Sequence, residues 1–388
     1  MNGRARAARL ILPLLIGAVS LPLAVSPAGQ SKASWEKYKV GAPIMQGHLQ
    51  VFPVTTEASR DTSGLLTLEE GIRAGSVVVS EQSETTGLVR PRNRFRPLDG
   101  ISGIDPGIWT ERPFPMPPRV SGAQVNELAI VNNSDRPLLL LAGEIVTGGK
   151  QDRVVGRDRI IPPHSKPVAL GVFCVEPHRW TGSSLAFGTL PSAMAQPSVR
   201  FKAMAEKDQQ AVWDQVEKLR AGFLSAAPAP AARELEGTSS YAMSVQNSAV
   251  KTQVETIAGP IDRKYEKLFG QLQADKAVGA VVAVDGEIIW ADVFASQALF
   301  EKYWPKLIRS YAAEAIRPRF KGIDAKTLAT AEQAQNFVEH LEARNENVET
   351  EPGVYRNTEF IGDDFDAFVL TGLLPQARYT VHVAKMSR

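Results

Sequence analysis

Charged, amide and sulfur side chains crowd into residues 138–180, LLLLAGEIVTGGKQDRVVGRDRIIPPHSKPVALGVFCVEPHRW. Two apolar runs, 138–146 and 168–175, each end in charged and small residues. Glu144, Gln151, Asp152, Arg153, Arg157 and Asp158 gather about the first run, and Glu176, His178, Arg179 and Trp180 follow the second. A carboxylate at the end of an apolar run is partly desolvated, so its proton affinity depends on the cation that faces it. Arg153 and Arg179 are the candidate cations. Glu144 or Glu176 then suits the work of a general base, with an arginine stabilising developing charge. Arginine also clamps a carboxylate or phosphate through two parallel bonds. Gln151 reads a ligand through both a donor and an acceptor. Trp180 stacks on a ring or covers the core, and Gly148-Gly149 lets the backbone turn sharply or approach a ligand.

Three arrangements fit these residue types. One is a binding pocket for a polar or anionic ligand, held by Gln151, Arg153, Arg179 and Trp180. One is a catalytic pocket with Glu144 or Glu176 as base. The third is a structural network in which buried Glu–Arg pairs fix strand ends. Cys174 is the single cysteine, so no internal disulfide exists, and its place in VALGVFCVE predicts a buried, inert thiol rather than a reactive one. A Cys174–His178 pair spans about 13 Å in an extended run, so it forms only if the chain turns at Pro177. The five histidines show no metal-ligand spacing, and no cofactor fingerprint, phosphate loop or nucleophile elbow occurs. No metal and no cofactor are therefore expected.

Those side chains need a framework. Residues 48–54, 76–82, 124–131, 138–146 and 168–175 read as strands, rich in β-branched residues. The Asn132-Asn133-Ser134-Asp135 turn predicts that 124–131 and 138–146 pair as a hairpin. The pattern then becomes helical. Residues 201–223 carry an apolar stripe, 226–232 (AAPAPAA) read as a linker, 239–257 as a polar surface segment, and 261–272 as a second helix. Residues 277–294 form the clearest hairpin, with Asp285-Gly286 as a favoured two-residue turn. A helix follows from Ser296 to Ile316, and Pro305 is expected to kink or divide it. A further helix covers 328–341, and 359–371 with 378–384 read as closing strands.

The chain has 388 residues, 44% hydrophobic and 22% charged, enough for a sizeable core without metal or disulfide staples. A net charge of +2 offers no strong pull toward nucleic acid. Arg4, Arg6 and Arg9 precede an apolar run at 10–25 and the small residues Ser26-Pro27-Ala28. This is the pattern of a secretory signal peptide over residues 1–28, cleaved before Gly29. No later run reaches the ~20 apolar residues of a membrane-spanning helix. The basic run at 90–96 and the Pro-rich 112–118 read as a solvated loop and a covering loop.

The run GEIVTGGKQDRVV followed by FCVEPHRW resembles the ARG and Rhodanese-Phosphatase-superfamily-associated Protein domain family. VGAVVAVDGEIIWADVFAS and the YWPKLIRSYAAEA helix are similar to that family's second half, so the resemblance spans about residues 41–316. It implies a domain of undefined biochemical activity and brings no assigned catalytic residue. It marks Glu144, Gln151, Arg153, Cys174, Glu176, Arg179 and Trp180 as a shared patch.

The expected fold is α+β. A β-rich part at 35–189 packs with a helix and hairpin part at 190–388, and the 143–153 loop lies close to 176–180. Two functions remain open. One is a non-catalytic binding or scaffolding domain of the cell envelope, with a small polar or anionic ligand or an envelope protein as partner. The other is a hydrolase using Glu144 or Glu176.

Overall fold

A computed structural model describes residues 38–81, 127–149, 151–176, 186–271, 276–316 and 328–388. The expected signal segment, the 90–96 and 112–118 loops, and His178, Arg179 and Trp180 lie outside the described residues. The first half contains β1 (Lys39–Val40), β2 (Ile44–Gln46), β3 (Leu49–Thr56), β4 (Leu66–Thr67), α1 (Leu68–Arg73), β5 (Val77–Glu81), β6 (Glu127–Asn132), β7 (Leu138–Leu140), β8 (Glu144–Gly148), β9 (Arg153–Val155), β10 (Arg159–Ile161), β11 (Val168–Cys174) and β12 (Ala186–Met194). Next come α2 (Pro197–Phe201), a π-helical turn (Lys202–Glu206), α3 (Gln209–Ala226), α4 (Ala229–Glu236), α5 (Tyr241–Gln246) and α6 (Ser248–Gln271). The chain closes with β13 (Lys276–Val284), β14 (Glu287–Phe294), α7 (Gln297–Glu314), α8 (Ala331–Glu339), β15 (Asn345–Glu351), β16 (Tyr355–Ile361), β17 (Phe365–Gly372) and β18 (Thr380–Ser387). The fold is α+β.

The strands make two main structures. β11-β6-β5-β12-β8-β9 close into a barrel, and β1-β3-β13-β14-β18-β17-β16-β15 form a larger sheet with β2 on β3. The barrel is filled by Val79, Ile130, Val146, Val155, Leu170 and their neighbours. In the large sheet, Ala280 and Val282 of β13 face one apolar cluster while Val281 and Ala283 face another. That strand is buried on both sides, which explains its near-continuous apolar run, AVVAV. The β13–β14 turn has φ of 55° at Asp285 and 84° at Gly286, the left-handed pair that a two-residue hairpin loop requires.

Helix α7 is wedged between barrel and sheet. Tyr303 Oη donates to the Leu139 carbonyl, Ser310 Oγ to the Ala195 carbonyl, and Tyr311 Oη to Asp292 of β14. Its buried residues recur at three- and four-residue spacing on a wide stripe. Ser296 caps it by accepting the Leu299 N–H.

Several expectations are corrected. β6 pairs with β5 and β11, while β7 pairs with β4 and β10, so 124–131 and 138–146 do not form a hairpin. The turn at 133–136 redirects the chain between sheets instead, with the Asn132 Nδ2 donating to the Arg136, Ile161 and Pro162 carbonyls. Helices α6 and α7 each run undivided through a proline, Pro260 and Pro305. Burial of the apolar stripe outweighs the single backbone bond that each proline removes. The apolar stripe at 201–223 is two helical pieces separated at Lys207 (φ 54°), with Asp208 capping α3. The expected linker folds as α4, and 359–371 is the end of β16, a turn and β17.

Candidate functional site

The charged residues of 138–176 separate into three groups. The first stands at the barrel rim. The end of β11 and the loop between β8 and β9 bring Gln151, Asp152, Arg153, Cys174 and Glu176 together, because Cys174 sits opposite Arg153 in the β9–β11 ladder. Gln151 Nε2 donates to the Glu176 carbonyl at 3.0 Å, and the Cys174 thiol donates to Gln151 Oε1 at 3.0 Å. Glu176 Oε2 accepts the Asp152 N–H at 2.9 Å. Asp152 Oδ1 accepts the Gly148 N–H at 3.1 Å, which closes the loop on itself. Gln209 of α3 forms a reciprocal pair with the Cys174 backbone, at 2.9 and 2.8 Å. Gln151, Arg153, Cys174 and Glu176 are all buried. Burial pushes the Cys174 thiol up, against the pull of the Glu176 backbone N–H and Arg153. That is a thiol held in its unreactive form.

Glu144 belongs to a second group. It starts β8 at the far end of the β8–β9 hairpin, and its cation is Lys306 of α7, at 3.1 Å, rather than Arg153. Its other oxygen accepts the Leu141 N–H at 3.0 Å. Burial pushes the Glu144 carboxyl up, although Lys306 and the Leu141 N–H pull the other way. Lys306 also meets Glu69 of α1 at 3.2 Å. Burial works against its charge, and Glu144 and Glu69 override burial to hold the ammonium above the usual lysine range.

The third group is fully buried and joins the barrel to the large sheet. Asp158, between β9 and β10, accepts the Ala142 N–H at 2.7 Å and meets His382 Nδ1 of β18 at 2.6 Å. His382 Nε2 meets Asp292 at 3.2 Å. Asp292 takes both guanidinium nitrogens of Arg200 at 2.8 Å and the Tyr311 hydroxyl at 2.5 Å. Arg200 lies over the Trp290 ring at 4.3 Å. Two carboxylates, one guanidinium and one imidazolium make the group neutral. Burial opposes the His382 charge, yet Asp158 and Asp292 override it and raise the imidazole to about 9. Burial would raise Asp292, and Arg200 and His382 reverse that and hold it well below the usual carboxylate range. Gly143 makes room for this group. Its φ is 94°, and a Cβ there would stand 2.7 Å from Arg200 Cγ and Cδ.

Arg200, Asp292, Lys306, Tyr311 and His382 escaped sequence reasoning. The available signal was a charged residue interrupting an apolar run, as in IIWADVF and YTVHVA. Among the described residues, no group of three or more histidines, cysteines and acids is placed to hold a metal.

The sequence profile of the ARG and Rhodanese-Phosphatase-superfamily-associated Protein domain family, ARPP-1, matches residues 37–386. The chain belongs to this family. The match extends past the 41–316 span expected from the motifs and takes in β15 to β18, so the ARPP-1 domain includes His382. No curated protein and no solved structure matches the chain significantly.

Proposed function

We propose that this ARPP-1 chain is an exported, non-catalytic binding or scaffolding domain of the cell envelope, with Gln151, Arg153, Arg179 and Trp180 as its contacts to a polar or anionic ligand. The observation that carries this reading is the state of the two candidate bases. Glu144 accepts from the Leu141 N–H and pairs with Lys306, and Glu176 accepts from the Asp152 N–H. Carboxylates held by protein donors fix neighbouring backbone, which suits a rigid ligand patch better than proton transfer. A guanidinium beside an amide suits a carboxylate, phosphate or sugar. The basic residues and apolar run at 4–25 support export. Among the described residues no helix is long and apolar enough to cross a membrane.

The test is thermal unfolding of the purified chain, Arg153→Ala and Glu144→Gln with phosphorylated, carboxylated and saccharide ligands. The reading expects a ligand that stabilises the wild type and loses its effect in Arg153→Ala. One observation favours a hydrolase with Glu144 as general base instead: burial raises its carboxyl, the direction that brings a carboxylate base toward working pH. Turnover of a panel member that disappears in Glu144→Gln would replace the binding reading with that one. Export is checked by the intact mass of protein recovered from cells, with an N-terminus at Gly29 expected and retention of residues 1–28 counting against it.

A further inference from the structure

We propose that the cavity between the end of β12 and helices α5, α6 and α7 is a second binding site, for an uncharged ligand that presents an amide edge on an apolar body. It goes beyond the barrel-rim patch and uses none of its residues. The cavity has a volume of about 390 Å³ and is walled by Leu190, Met194, Val245, Val254 and Ala313. That is within the usual size of small-molecule pockets, which combine apolar walls with a few placed polar groups.

The placed group here is Gln196. It lines the cavity and is 1% exposed. Its backbone is fully used: the N–H donates to Tyr241 Oη at 3.2 Å, and the carbonyl accepts the Val199 and Arg200 N–H groups at the start of α2. Its side chain is idle. Gln196 stands at the N-cap of α2 without making a side-chain cap bond. Among the described residues neither Nε2 nor Oε1 has a hydrogen-bond partner. Buried side-chain polar atoms in native proteins nearly always have one, and two on a single amide call for an explanation. A ligand that supplies one acceptor and one donor side by side satisfies both ends at once.

The surroundings decide the ligand's charge. Arg309 at the cavity is already paired with Glu255, at 2.6 and 3.2 Å, and Lys251, the other cation of the lining, is exposed to water rather than buried beside Gln196. Ser310 Oγ is committed to the Ala195 carbonyl at 2.7 Å. A charged head pressed against a neutral buried amide lacks compensation. A primary or secondary amide, a lactam or a nucleobase edge is neutral and matches glutamine atom for atom. The apolar walls then take the body of the ligand.

The experiment uses the full chain, with benzamide as probe, acetophenone as nearly the same shape without N–H donors, and benzoate as the charged counterpart. Binding is followed by calorimetry and ligand-observed NMR. The proposal expects saturable benzamide binding, with acetophenone at least about tenfold weaker because the site's acceptor is then unmatched. Gln196→Met keeps the volume and removes both idle atoms. It is expected to unfold at or above the wild-type temperature while losing benzamide binding, a combination that a merely structural glutamine would not give. Arg153→Ala is expected to bind benzamide unchanged, so failure here and failure of the barrel-rim reading are separable. The proposal is overturned by absence of saturable benzamide binding to the wild type, by equal or preferred binding of either control compound, by binding that survives Gln196→Met or vanishes in Arg153→Ala, or by a Gln196→Met variant that is clearly less stable than the wild type.

Discussion

Replacing His382 with glutamine removes the buried cation between Asp158 and Asp292, and its effect should depend on pH in one direction only. In the folded chain the imidazole is raised to about 9, because Asp158 and Asp292 outweigh burial. In the unfolded chain it falls to about 6.5. The folded state therefore holds a proton that the unfolded state has released. The stability this contributes is fully present below about pH 6.5 and is lost as pH rises through about 9. The difference between the two values corresponds to about 3 kcal/mol. With an unfolding entropy of ~2.1 cal/mol/K per residue over 388 residues, that is about 4 °C in Tm. The wild-type profile alone will hide it. Burial pushes the Lys385 ammonium down to about 7, so above that pH the unfolded state holds the extra proton and stability rises. The two slopes oppose each other. The assay is therefore a difference: melting of wild type and His382→Gln from pH 7 to 9.5, in which the partial ionisation of unfolded tyrosines at the upper end cancels because both chains carry the same tyrosines. About 2.4 kcal/mol of the His382 contribution is lost between pH 7 and 9.5, so the gap should narrow by about 3 °C across this window. A gap that stays constant would refute the claim that His382 is charged in the fold.

Three further outcomes follow from the same geometry. Asp292→Asn preserves shape but leaves Arg200 without its carboxylate and the buried group with one uncompensated positive charge, His382 keeping Asp158, and should cost about 3–5 kcal/mol in urea unfolding at pH 7. Gly143→Ala places a methyl group against Arg200 at a φ of 94°, and should cost more than about 1 kcal/mol by the same measurement. Cys174 should react with a disulfide reagent at least about a hundredfold more slowly in the native chain than in urea, since its modification waits on local opening. Native and denatured rates within a few fold of each other would show that the thiol is accessible.

Strands and helices with strong periodicity were legible in the sequence, as the β13–β14 hairpin and its Asp285-Gly286 turn show. The rim cluster was legible too, because Gln151, Arg153, Cys174 and Glu176 are close in sequence and two short ladders suffice to join them. The partners that came from far away were not. Lys306 is 162 residues from Glu144, and His382 is 224 residues from Asp158. Sequence spacing carries no information about such pairs, since the sheet order that creates them is set by which apolar faces bury together. Pro305 misled for a related reason. A local rule about backbone bonds was outweighed by burial on long apolar stripes, which only the assembled core reveals.

The polar groups of this chain differ in what they leave undone, and that difference locates function better than their charge does. The Asp158–His382–Asp292–Arg200 group is neutral and fully buried, its carboxylates and imidazole bonded at every polar atom and Arg200 left with only Nε unpartnered among the described residues, and it joins the barrel loop, α2 and two strands of the large sheet. Such a network holds parts in register, and its charges are spent on one another. Glu144 with Lys306 and Glu69 is similar, tying the barrel to α7 and α1. Gln196 is the opposite case, with a buried amide whose two ends are both idle beside an apolar cavity. Natural folds tolerate a local violation of polar satisfaction chiefly where function requires it. On that criterion the carboxylates that look most chemical in the sequence are framework, and the uncharged glutamine that the sequence does not distinguish is the better place to look for a ligand.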